Sequence, residues 1–133
     1  MTRSVIITRC DCRQLHVRLP GFTVDCHSVR WGGGACRLAA QQMKIVRLLA
    51  FRFGTGPVPG AELVSWVWGE EDGGGPLYAA EIIASQMARI RRRMVAAGFQ
   101  GQIINRFGFG YELELPKRPS PLTLVASTEQ VAA

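Results

Sequence analysis

The side chains able to do chemistry fall into two groups: a cysteine and histidine set near the start of the chain, and an arginine run in its second half. Cys10, Cys12, His16, Cys26, His27 and Cys36 are the only thiols and imidazoles. Zinc favours four such ligands, usually arriving as two close cysteine pairs. Here a single Cys-x-Cys is followed by gaps of 13 and 9 residues, with no second close pair. Cys26 and His27 are adjacent, and on a strand neighbours face opposite sides. The spacing therefore reads as thiols of a reduced cytosol with no metal. Cys10-Asp11-Cys12 is the one hint of a metal-stapled N-terminal sheet or of a contact. His16 and His27 have no obvious partner. Gly-x-Ser-x-Gly, His-Glu-x-x-His and paired carboxylates are absent from the sequence, and no Gly-Lys-Ser/Thr follows Gly32-Gly33-Gly34. Neither an enzyme nor a cofactor is expected.

The second group is electrostatic. The 133 residues carry 16 basic and 10 acidic groups, a formal charge of +6. Residues 1–37 hold +4 and residues 79–98 hold +3, while the stretches between and after them sum close to zero. Concentrated positive charge suits a polyanion, because each neutralised phosphate releases counterions. At 47% hydrophobic residues the chain can bury a core. Its apolar runs are too short for a membrane span, so a soluble, cytoplasmic protein of a bacterial or phage-infected cell is expected.

These groups need elements to hold them. Residues 4–8, 15–19, 22–25, 28–31 and 35–38 read as short strands broken by Pro20-Gly21 and Gly32-Gly33-Gly34. The period then changes. Met43, Val46, Leu49 or Ala50, and Phe53 mark a first helix, with Lys44, Arg47 and Arg52 off its stripe. A second helix runs from Pro59-Gly60 to about Trp68. An acidic, Gly-rich loop follows, with Glu70, Glu71 and Asp72. The third helix carries the clearest stripe, Ile83, Met87, Ile90, Met94 and Ala97, with Glu81 in its first turn and Gly98 as a left-handed cap. Residues 102–107 and 111–115, around Gly108-Phe109-Gly110, read as a hairpin.

Sheet, three helices and a terminal hairpin predict an α+β winged helix-turn-helix, in which the third helix lies in the DNA major groove and the hairpin reaches the backbone or minor groove. The expected outward face of the third helix is Glu81, Ile82, Ser85, Gln86, Arg89, Arg92 and Arg93. Among these, Glu81, Ile82, Ser85, Gln86 and Arg89 are the expected base contacts: Gln86 can pair with adenine and Arg89 with guanine. Arg91, Arg92, Arg93 and Arg106 are assigned to phosphates. Trp66 and Trp68 cannot both face the core, so one of them is expected to be partly exposed.

Residues 22–115 resemble the OmpR/PhoB-type winged-helix domain of bacterial response regulators. The resemblance is carried by Leu38-Ala39-Ala40-Gln41-Gln42, by Pro57-Val58 through Leu63, and by Val67-Trp68-Gly69. It continues in Met87-Ala88-Arg89-Ile90-Arg91-Arg92-Arg93-Met94 and in Ile103 to Tyr111, which ends in Gly-Phe-Gly-Tyr. It implies a four-stranded N-terminal sheet, a three-helix core and a wing, with sequence-specific binding of double-stranded DNA and transcription control. It also implies that the loop at residues 69–77 can contact RNA polymerase. The expected organisation is an N-terminal extension at 1–21 with Cys-x-Cys, the winged helix at 22–115 and a flexible tail at 116–133. Four features depart from the family. Ala39 replaces the threonine that caps the first helix, with Gln42 for the capping glutamate. Glu81 begins the reading face. Phe107 stands where the family sets an arginine, with Arg106 one place earlier. No receiver domain precedes the module, so phosphorylation control within this chain is not expected, as in phage-encoded or orphan regulators. The second reading is a protein-interaction winged helix, with or without DNA, that meets RNA polymerase or another regulator through Glu70, Glu71, Asp72, Phe107 and Phe109. Cooperative dimers on DNA fit either reading.

Overall fold

A computed structural model describes residues 6–9, 15–69 and 75–116. The tail from residue 117, the acidic triplet Glu70, Glu71 and Asp72, and both Cys10 and Cys12 lie outside the described residues.

Five strands, β1 (Ile6–Arg9), β2 (Leu15–Leu19), β3 (Phe22–Val24), β4 (Ser28–Trp31) and β5 (Gly34–Arg37), form an antiparallel meander in chain order. Then come α1 (Ala40–Phe51), α2 (Gly60–Trp68), α3 (Ala79–Ala96) and the hairpin β6 (Gln102–Arg106) with β7 (Gly110–Glu114). The α+β winged-helix architecture expected from the sequence is present. The sheet has the five strands read from the residues, where the resemblance implies four, and β2 packs with the strands that follow it. The reason is burial: Val17 and Leu19 belong to the same core as Phe22 and Val24.

Register explains the sheet's inner face. Val17 pairs with Val24, Val24 with Val29, and Val29 with Cys36. This row of small apolar side chains crosses four strands, and a parallel row runs through Leu19, Phe22 and Trp31. Such opposed pairs are the unit that stabilises a sheet. Helix α1 lies across β2 and β3 on one side and against α2, α3 and β7 on the other. It is therefore buried on nearly every face, from Gln42 and Met43 through Ile45 to Ala50.

Arg47, off the apolar stripe like Lys44, is nonetheless buried at 3% exposed. Its Nη2 donates to the carbonyl of Asp25 at 2.8 Å and that of Cys26 at 3.4 Å, in the turn between β3 and β4. Burial pulls its pKa down, and the Cys26 sulfur partly offsets this. A charge is tolerated here because it is hydrogen-bonded to backbone acceptors.

Helix α2 is clamped to α1 by two reciprocal bonds. The Trp66 indole donates to the Lys44 carbonyl at 2.8 Å, and Lys44 Nζ donates to the Val67 carbonyl at 3.4 Å. Arg52 and Glu62 form an ion pair across the same two helices. Trp68 is buried and Trp66 partly exposed, as expected. The wing is tethered through a bridge in which Val58 and Tyr111 exchange backbone bonds of 2.7 and 2.9 Å. That bridge accounts for the second glycine of Gly-Phe-Gly-Tyr. Gly110 has φ of 127°, and a Cβ there would stand 2.1 Å from the Val58 carbonyl oxygen.

Replacing Arg47 with Met keeps an apolar stem and removes the donors. The change is expected to cost about 1–3 kcal/mol, the usual penalty for unpaired buried acceptors, measured as a lower urea midpoint at constant slope. An unchanged midpoint would show that other donors reach the two carbonyls.

Candidate nucleic-acid interface

Helix α3 is held at both sides and at its C-terminal end. Ala79, Ile83, Met87, Ile90 and Met94 are buried in one stripe, as the spacing predicts, and Ala97 packs against the same core. At the C-terminus Gly98 takes φ of 96°. The Gly98 amide donates back to the Val95 carbonyl at 3.0 Å and the Phe99 amide to the Met94 carbonyl at 2.9 Å. This pair of bonds closes a helix with a left-handed residue just past its end. Phe99 then stacks in tilted contact with Trp31 and Phe22, with ring centroids 5.1 and 5.5 Å apart, and so ties the helix end to the sheet.

The expected reading residues separate into three places. Glu81, Ser85, Arg89 and Arg92 are exposed. Glu81, Ser85 and Arg92 lie opposite the buried stripe at about 100° per residue, with Arg89 beside them. No hydrogen bond or ion pair is described for these four.

Ile82 and Gln86 are not outward. Ile82 is half-buried against the core. Gln86 sits about 60° from the stripe's centre, facing the start of α1. There a chain of glutamines joins the two helices. The Ala39 amide donates to Gln42 Oε1 at 3.1 Å, Gln42 Nε2 donates to Gln86 Oε1 at 3.0 Å, and Gln86 Nε2 donates to Gln41 Oε1 at 2.6 Å. The direction is set at the first link. A backbone N–H can only donate, so Gln42 meets it with oxygen, and each later amide is oriented in turn. Gln42 thus supplies its half of a capping box that Ala39, with no side-chain acceptor, cannot complete. Gln86 enters any DNA contact with one hydrogen and one lone pair already committed.

The arginine run is divided in the same way. Arg91 turns to the wing and donates from Nε to the Ile103 carbonyl at 2.8 Å. Arg93 donates from Nη1 to the Arg37 carbonyl of β5 at 3.2 Å while remaining exposed. Arg92 alone of the three points straight out. On the wing, Arg106 pairs with Glu112 at 3.0 Å and approaches Glu114 at 4.0 Å. Beyond it Phe107 and Phe109 stand 94% and 73% exposed at the hairpin tip.

This fold has been seen in solved structures. The C-terminal domain of the nisin resistance regulator NsrR, a lantibiotic response regulator, is 22% identical, with a TM-score of 0.59 over 72% of this chain and 93% of that one. The DNA-binding domain of the response regulator AdeR, solved in complex with an intercistronic region, is 19% identical, with a TM-score of 0.60 over 74% of this chain and 99% of that one. The chain has the winged-helix fold of these domains. The resemblance to OmpR/PhoB-type domains is borne out at the level of fold. The sequence matches no protein-family model and no curated protein.

Sequence reasoning left His16 without a partner. Its Nε2 lies 3.2 Å from Cys26 Sγ, and its Nδ1 lies 4.0 Å from Asp25 Oδ1. The signal was the turn at Pro20-Gly21: a two-residue connection sets Leu19 opposite Phe22 and, counting back, brings His16 alongside Asp25. Among the described residues no group of side chains could hold a metal ion, and no helix is long and apolar enough to cross a membrane.

The glutamine chain makes a quantitative prediction. Gln86→Ala and Gln42→Ala should each cost about 1 kcal/mol, and a double-mutant cycle should return a coupling of about 0.5–1.5 kcal/mol. Additive urea midpoints would place the two residues in independent environments.

Proposed function

We propose that the protein is a sequence-specific double-stranded DNA-binding transcription regulator that lays α3 in the major groove and its wing along the backbone or minor groove. The observation that carries this is the cationic outer face of α3, where Arg89 and Arg92 project from a helix locked underneath on both flanks. Ser85 and Arg89 read base edges, Arg89 by its paired contacts to a guanine. Glu81, at the N-terminal end of the face, accepts from a cytosine amine and disfavours a phosphate. Ile82 and Gln86 border the same groove, with Gln86 offering its remaining hydrogen. Arg92 and Arg93 bind phosphates. Arg91 and Arg106 are engaged within the protein and contribute mainly to the local field. Cooperative binding at tandem sites needs no stable dimer in free solution.

Selection from a random duplex pool supplies the ligand, and a salt titration tests the assignment. Arg92→Ala should reduce the log–log salt slope by about 0.9, the share of one phosphate. Arg89→Ala should cost about 1–3 kcal/mol on the selected duplex and relax preference at one base pair. Failure to enrich any sequence, with a flat salt response, would overturn the DNA reading.

A second surface favours a protein partner, RNA polymerase or another regulator, alongside DNA. Leu77 and Tyr78, just ahead of α3, are 86% and 63% exposed, and the wing tip adds Phe107 and Phe109. Large exposed apolar side chains grouped in a loop or at a hairpin tip are candidates for interaction sites. The joint substitution Phe107→Ser and Phe109→Ser should shift stability by less than about 0.5 kcal/mol and lower promoter output at saturating DNA occupancy. Unchanged output would remove the wing tip from that surface.

A further inference from the structure

Two described cysteines carry thiols, Cys26 and Cys36, in opposite settings. Cys36 is on the inner face of β5, and burial pushes its thiol pKa up, with Arg93 opposing. Cys26 is half-buried in the turn after β3, where charged and titratable groups from three elements converge. His16 of β2 approaches with Nε2 at 3.2 Å from the sulfur. Asp25, the preceding residue, stands 4.0 Å from the far ring nitrogen of His16 and is itself held by Arg30 of β4 at 2.7 Å. Arg47 of α1 binds the carbonyls of Asp25 and Cys26 from below.

A thiol with an imidazole nitrogen within reach, a carboxylate behind the imidazole and a guanidinium close by has a base to take its proton and charges to hold the anion. We propose that Cys26 is a modification site, a reactive thiol activated by His16 and oxidised by hydroperoxides to the sulfenic acid. The thiol proton passes to His16 Nε2. The sulfur attacks the terminal peroxide oxygen; an S–O bond forms as the O–O bond breaks. The leaving hydroxide or alkoxide recovers the proton from the imidazolium as water or alcohol. Sulfur loses two electrons and the peroxide gains them, so no other reductant is required. Asp25 acts as a positioning residue that orients the ring, and Arg47 favours the anionic sulfur. This site is independent of the DNA reading.

The chain carries its own control, because trypsin separates the cysteines: residues 19–30 contain Cys26 alone and residues 31–37 contain Cys36 alone. The full reduced protein is treated with hydrogen peroxide, trapped with dimedone and digested. Label should enter the Cys26 peptide at least about tenfold faster than the Cys36 peptide, and His16→Asn should remove about tenfold of that rate. Equal rates on the two peptides, or a rate unchanged by His16→Asn, would overturn the proposal. Iodoacetamide alkylation at one fixed pH gives a second readout on the unaltered protein. Cys26 should be alkylated faster than Cys36, and Asp25→Asn should slow the Cys26 reaction. Equal alkylation of the two peptides would also refute activation by His16.

Discussion

A helix apolar on nearly all sides has to be enclosed, and α1 is such a helix. The sheet covers one side of it; α2, α3 and β7 cover the other. This fixes where the remaining elements stand. It also forces the polar groups on α1 to find partners inside the protein, since an unpaired buried donor or acceptor costs about 1–3 kcal/mol. Arg47 meets the requirement at the turn between β3 and β4, and Gln42 meets it at its own N-cap and at Gln86. The two buried polar residues of α1 thus join the helix to the sheet on one side and to α3 on the other.

The same constraint governs the arginines. A cluster of four on one helix reads as a uniform cationic surface, but a helix presents a flank as well as a face. Positions about 60–80° from the buried stripe touch neighbouring elements. Arg91 and Arg93 fall on opposite flanks and are drawn to carbonyls of β6 and β5. These bonds fix how α3 is seated about its axis. Arg89 and Arg92, further round, stay exposed.

Much of this was legible before any coordinates. The α3 stripe and its Gly98 terminator follow from helical period and from the conformational freedom of glycine. The strands follow from β-branched runs between turn residues. Neither signal reports on the flanks. Whether Gln86 faces solvent or α1 depends on which element lies beside it, and period alone is silent on that. The burial of Arg47 is not legible either, because a charged side chain in an apolar helix ordinarily marks the solvent side; the acceptors that make its burial possible belong to a turn more than twenty residues away. His16 and Cys26 were seen as separate because strand register was not carried through the Pro20-Gly21 turn.

The wing shows how one backbone contact decides what a hairpin can offer a partner. The Val58–Tyr111 bridge brings the wing's second strand against the connection between α1 and α2 so closely that no side chain fits at Gly110. Beyond this anchor the strands run free to the tip. Arg106 leads into the tip, yet Glu112 and Glu114 on the facing strand are near enough to neutralise it. A cation paired at short range gives up much of its attraction for a distant phosphate. The tip therefore projects two phenyl rings in place of a free positive charge. In the proposed DNA complex the tip would contribute by apolar burial rather than counterion release, and so be insensitive to salt where the α3 contact would be sensitive.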